Sequence, residues 1–165
     1  MKHQLPEPTL EPEDGWNEFK VTANASHFPS FVSGEPDGDR LRVRYFVRER
    51  DGAFVGKAWF GPGTEGPPGH AHGGSVAALL DEAMGLGAWA AGHSVLAVRV
   101  TIQFRAMLPL GTEAMLQSWV DAVDGRKVTT RGRLSGPDDI EYAVSDGLFL
   151  ILDADKFGEM ASAAK

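Results

Sequence analysis

The chain has 165 residues, 42% of them hydrophobic, enough for one domain with a sizeable core, and no shift in composition marks a second. Its formal net charge of -7 argues against a nucleic-acid binder, which presents a basic stripe to the phosphate backbone. The absence of cysteine excludes disulfides, thiolate nucleophiles and zinc knuckles and suits a reducing compartment, the cytoplasm by default.

Residues Met1 to Asp14 are acidic and spaced with prolines. They lack the basic start and apolar run of a secretion signal and the Arg-rich character of a transit peptide, so a mobile arm is expected. Gly15 to Phe31 carries aromatics without a period and reads as a short helix or loop laid over an opening or a partner subunit. Residues 1–30 are therefore assigned to an arm, 31–153 to the folded domain and 154–165 to a tail.

Regular alternation begins at Arg40, where Leu41, Val43, Tyr45 and Val47 share one strand face and the arginines the other. Asp51-Gly52 makes a turn and Ala53 to Phe60 returns, giving a hairpin. A loop rich in glycine and proline from Gly61 leads into a helix from Ser75 to about Gly92, apolar on almost every face and so expected to be enclosed. Gly92 suits a left-handed cap.

A strand follows, with Val98, Val100, Ile102 and Phe104 facing the core and Arg99, Thr101, Gln103 and Arg105 facing away. Pro109 to Thr112 turns the chain into a strand over Ala114 to Val123. Asp124-Gly125 marks a tight hairpin into Lys127 to Leu134, and Gly136 to Asp139 turns it again into a last strand over Glu141 to Leu152. One helix cannot cover both faces of a doubly wound sheet. The predicted class is α+β, with a curved six-stranded antiparallel sheet wrapped around one long apolar helix, and no stretch is apolar enough to span a membrane.

Two features of the helix point to chemistry. Asp81 is a lone carboxylate within an apolar segment, costly there unless paired, protonated or used. Gly73-Gly74 at the helix start leaves backbone N–H groups unobstructed where the dipole favours developing negative charge. Glu82 points about 100° away from Asp81 on a helix, so the two are not a dyad, and Glu82 is expected to meet solvent or a partner. His70 and His72 alternate as metal ligands can, but no cysteine or third ligand accompanies them and no metal is predicted. His72 reads as a residue that fixes the turn, and Trp59, Met84, Trp89 and Phe104 as core.

His72-Gly73-Gly74 followed by Asp81, in the order two strands, helix, four strands, resembles a hotdog-fold thioesterase of the acyl-CoA hydrolase type. Gly66-Pro67-Pro68-Gly69, Phe104-Arg105 ahead of Pro109-Leu110, and Asp124-Gly125-Arg126-Lys127 are most similar to the branch of thioesterase superfamily member 4 and PaaI. The resemblance covers residues 61–152.

It implies acyl-CoA hydrolysis without a cofactor. Asp81 would act as general base or nucleophile, the N–H of Gly73, with Gly74, would hold the oxyanion, and His72 would shape that loop. Arg126 and Lys127 would meet the phosphates of coenzyme A. The sites of such enzymes lie at a homodimer interface, so a dimer or dimer of dimers is implied. The sequence departs from the family pattern at Ala97, where relatives often carry a Ser or Thr, with Ser94 and Thr101 as nearby hydroxyls, and Gly66 stands where another branch has an asparagine. An aryl-CoA thioesterase of the PaaI type and a non-catalytic acyl-CoA binder are the alternatives.

Overall fold

The structure, a computed structural model, describes residues 5–21 and 29–163. Its elements in order are β1 (Trp16–Phe19), β2 (Leu41–Arg48), β3 (Phe54–Phe60), α1 (Gly73–Ala90), β4 (Val95–Phe104), β5 (Glu113–Asp124), β6 (Lys127–Ser135), β7 (Glu141–Ile151) and α2 (Ala154–Ala163). The strands form one sheet in the order β1-β2-β3-β5-β6-β7-β4, with every neighbouring pair antiparallel. The chain leaves β3 in mid-sheet, runs through α1 across the concave face, and returns as β4 at the far edge.

The alternation predicted for β2 holds: Leu41, Val43 and Tyr45 are buried under α1 with Phe54, Ala58 and Phe60 of β3 and Leu116 of β5. The central helix contributes Val76, Leu79, Leu80, Ala83, Met84, Gly87 and Ala88 to the core. Its four large side chains, at about 1.5–3 kcal/mol each, supply roughly 6–12 kcal/mol of gross burial free energy. Helix and sheet approach so closely that a Cβ on Gly87 would sit 2.3 Å from Ser118 Oγ, and that hydroxyl donates to the Ala83 carbonyl at 2.8 Å. The helix ends as Gly92 predicted, with Gly92 at φ +94. Its N–H meets the Trp89 carbonyl and that of His93 the Ala88 carbonyl, both at 2.9 Å, the paired bonds of a Schellman cap.

Seven strands replace the six expected, because Trp16–Phe19 is β1, paired with β2 from Trp16↔Arg48 to Phe19↔Tyr45. Its two aromatics point to opposite faces, Trp16 against Phe46 at 5.6 Å between ring centroids and Phe19 against Phe54 at 5.2 Å. With one aromatic on each face and the polar Asn17 and Glu18 between them, four residues carry no alternation to read. The segment before β1 lies along the sheet face away from α1. There Leu10 is buried, Arg42 pairs with Glu7, and the Thr9 N–H reaches Glu113 at 3.2 Å. At the other end, the expected tail holds the second helix, α2.

The helix is not enclosed all round. Gly74 and Asp81 are exposed, and Ala77, Ala78 and Gly85 are half-buried. Small residues make that face apolar by composition and open by geometry.

Candidate active site

Prolines and glycines build the loop that enters α1. The His70 N–H bonds the Pro67 carbonyl at 2.9 Å around Pro68 and Gly69, with Gly69 at φ +74, the pattern of a type II turn. The Ala71 N–H to the Leu108 carbonyl at 2.8 Å and the His72 N–H to the Thr64 carbonyl at 2.7 Å tie the loop on both sides. His72 is thereby held in an extended N-cap conformation, and its Nδ1 accepts the Gly74 N–H at 2.8 Å. That bond requires Nδ1 to be unprotonated, so the neutral ring carries its proton on Nε2. A Cβ on Gly74 would lie 2.9 Å from the same nitrogen, and a glycine there keeps the cap.

The bond also sorts the donors at the helix start. Gly74 is taken by the imidazole, and Ser75 bonds the His72 carbonyl at 2.9 Å. The Gly73 N–H has no partner among the described residues. Gly73 rather than Gly74 is therefore the candidate oxyanion donor, at the positive end of the helix dipole.

Asp81 lies eight residues further on, about 12 Å along the axis and about 80° round from Gly73. The structure corrects its expected burial: the side chain is exposed, on the open flank of α1. No hydrogen bond or ion pair reaches it from the described residues. Partial loss of water around the carboxyl raises its pKa above the ordinary value, and the neighbouring Glu82 charge adds a smaller push in the same direction. The acid, unclaimed among the described residues, favours its proton more than a free carboxylate does.

Glu82 turns inward to its own chain, contrary to expectation. It accepts from the buried Tyr45 hydroxyl at 2.8 Å and from Ser30 Oγ. Burial first, and then the Glu82 charge, raises the Tyr45 pKa, so the phenol stays a donor. Ser30 also accepts the N–H groups of Val32 and Ser33, so Glu82 holds the chain around Ser30 beside α1.

A cleft of about 320 Å³ opens at the Gly73 end, walled by Ala71, Gly73, Val76, Phe104, Leu108 and Tyr142 among others. A second, of about 520 Å³, lies beside the same turn and is bordered by Ser30, Phe31, His72, Gly74, Ser75 and Ala78. Asp81 lines neither. Among the described residues, no three His, Asp or Glu side chains are placed to hold a metal ion, and no helix is long and apolar enough to cross a membrane.

β4 departs from its predicted pattern in two ways. Val98 has no partner in β7, because the register shifts between Ala97 and Arg99, and such a bulge breaks the alternation. Beyond it Val100, Ile102 and Phe104 pair with Gly147, Ser145 and Ala143, on the face that meets α1. Because β4 is the sheet's edge, Val98 is still 56% exposed and Phe104 57% exposed. Phe104 is thus a wall of the site and not core, a role hidden from the sequence because strand order cannot be read from alternation.

Thr101 pairs with the exposed Asp146. Cross-strand partners share a face, so Thr101 points away from α1 and from Asp81. Ala97 pairs with the buried Phe149, on the α1 side. Ser94, Arg126 and Lys127 gather at the opposite end of the molecule from Gly73. The Leu152 N–H bonds the Ser94 carbonyl at 2.8 Å, the Arg126 guanidinium donates to the Ile151 carbonyl through Nη2 at 3.1 Å, and Lys127 pairs with Leu150. Within one chain the helix, about 27 Å long at 1.5 Å per residue, separates these groups from the Gly73 N–H.

A seven-stranded antiparallel sheet curled around one long helix, with the glycine-started helix and its acid on the open flank, defines the hotdog class. The family model described as "Thioesterase superfamily" matches residues 68–143, from the loop before α1 into β7. The chain is similar to the acyl-coenzyme A thioesterase THEM4 of Xenopus laevis, 37% identical over 125 residues, which are 66% of this chain and 56% of that protein. A thioesterase superfamily protein of known crystal structure is 31% identical with a TM-score of 0.62, over 66% of this chain and 53% of that one. A Bacillus halodurans protein crystallised with coenzyme A shares the fold at 23% identity and a TM-score of 0.55, over 59% of this chain and 66% of that one. The chain spans between 39% and 61% of the length of the curated relatives it matches.

Proposed function

We propose that this protein hydrolyses acyl-CoA thioesters to a free acid and coenzyme A. The observation that carries the reading is an N–H on Gly73 at the positive end of α1, two turns from Asp81 with its raised pKa, neither of them partnered among the described residues. Attack on a thioester carbonyl needs an activated nucleophile and a donor aimed at the oxygen as it gains charge. In this reading Asp81 takes a proton from a water whose oxygen attacks the carbonyl carbon, or attacks that carbon itself to give a mixed anhydride that water then hydrolyses to the free acid. The Gly73 N–H holds the oxyanion, and its collapse expels the thiolate of coenzyme A, which takes up a proton.

A second copy of the chain accounts for what one copy leaves apart. β4 is a ten-residue edge strand with Leu96 and Val98 exposed, a surface that either pairs or aggregates. In a twofold antiparallel pairing of two β4 strands, the Val95 end of one meets the Phe104 end of the other. The partner's Arg126, Lys127 and Ser94 would then approach Gly73 and Asp81, with the cations placed for the phosphates of coenzyme A. The cysteine-free sequence supports the cytoplasm as its location.

Release of free thiol from coenzyme A esters of graded length, with phenylacetyl- and hydroxybenzoyl-CoA included, tests the reading. Turnover confined to the aryl esters would select the PaaI-type alternative. Binding without turnover would select the acyl-CoA binder, which Ala97 favours because no hydroxyl stands at that position on the α1 face.

A further inference from the structure

Phe104 stands at the candidate site in a place the oxyanion chemistry does not require. Its ring lies over Gly73, with Cζ 3.2 Å from where a Cβ would be, and it walls the cleft of about 320 Å³ into which Gly73 also faces. Of the other apolar walls, Pro67, Ala71 and Val76 belong to the proline-rich loop or to α1, Leu108 is 3% exposed, and Met107, 59% exposed, lies beyond the end of β4. Phe104 is the wall whose ring atoms stand nearest a Cβ at Gly73, and at 57% exposed on an edge strand its ring can, within one chain, change size or position without opening the core.

A carbonyl oxygen held about 2.9 Å from the Gly73 nitrogen enters this cleft, and whatever is attached to the carbonyl carbon meets its walls. We infer that Phe104 is the specificity-determining wall of the acyl cleft, and that the volume of its side chain sets the length and bulk of the apolar acyl group accepted. The inference rests on the thioesterase reading for the identity of the ligand. The ring acts by shape alone, and each methylene admitted or refused by an apolar pocket changes kcat/KM by about tenfold or more.

Two substitutions with opposite volume changes test it in the full-length protein. With Phe104→Ala, the ratio of kcat/KM for long over short acyl-CoA is expected to rise about tenfold or more. With Phe104→Trp it is expected to fall. Dissociation constants for non-hydrolysable S-alkyl coenzyme A thioethers of the same lengths, measured alongside on all three proteins, should shift in the same two directions. Length profiles parallel to wild type in both variants, with the fold intact by circular dichroism, would overturn the role of Phe104. If the wild type hydrolyses no ester but the thioether profiles shift, the hydrolase reading fails while the Phe104 wall stands. If the wild type neither hydrolyses an ester nor binds a thioether, both are lost.

Discussion

Asp81→Asn separates the proposed chemistry from the fold. The substitution keeps the shape of the side chain and removes its charge. The side chain is exposed and unpartnered among the described residues, so packing changes little and stability should stay within about 0.5 kcal/mol of wild type. The sign of that small change follows from the raised pKa. An acid whose folded pKa lies above its unfolded value contributes stability that is fully present below the unfolded value and is lost as pH rises through the folded one. At neutral pH the wild type has lost that contribution, and the asparagine variant should be equal or slightly more stable. Near pH 3 both side chains are neutral and the difference should vanish.

The catalytic effect is far larger. Removing a general base costs about 10²–10⁴ in rate, or roughly 3–5 kcal/mol of barrier at 1.36 kcal/mol per tenfold. Thiol release from a good acyl-CoA substrate reads the rate, thermal unfolding at the two pH values reads the stability, and a thioether analogue reads binding. The wild-type kcat/KM should also fall with acidity at a pH above the ordinary aspartate value, since the ionised form is the active one. A variant with kcat within about threefold of wild type would remove Asp81 from the mechanism whatever its stability.

Gly74→Ala gains about 1 kcal/mol of helix propensity but sets a Cβ 2.9 Å from His72 Nδ1. Displacing the ring forfeits an N-cap worth about 1 kcal/mol, so stability should barely move while thiol release falls; full activity would show that the imidazole's pose is not needed. Arg126→Ala should raise KM for acyl-CoA and leave KM for the matching acyl-pantetheine unchanged, because only the nucleotide carries the phosphates a guanidinium grips. An unchanged KM for acyl-CoA would put the nucleotide elsewhere. Val98→Lys places a charge on the free edge of β4, and light scattering should report a monomer with little activity. A fully active monomer would contradict the shared site.

What was legible in the sequence divides along a physical line. β2, β3, α1 and the Gly92 cap were readable because each is set by local periodicity or by one residue's backbone preference. The loop into α1 was readable because Pro68 and Gly69 dictate their own turn. β1 was missed because its four residues put one aromatic on each face, at Trp16 and Phe19, and so show no alternation. The exposure of Phe104 and Val98, the outward face of Thr101 and the inward turn of Glu82 were missed for a different reason. Each depends on strand order, on a bulge, or on Tyr45 and Ser30, which are 37 and 52 residues away in the chain. The residues misjudged in this way include those at the flank where α1 meets an unpaired edge. An apolar side chain on an edge strand satisfies the alternation rule as well as one in mid-sheet, and only the neighbour it lacks tells them apart. At Phe104 and Val98 the missing neighbour is, on the proposal above, a second copy of the chain or the acyl group of the substrate. Alternation therefore read as core the surface on which the proposed chemistry depends.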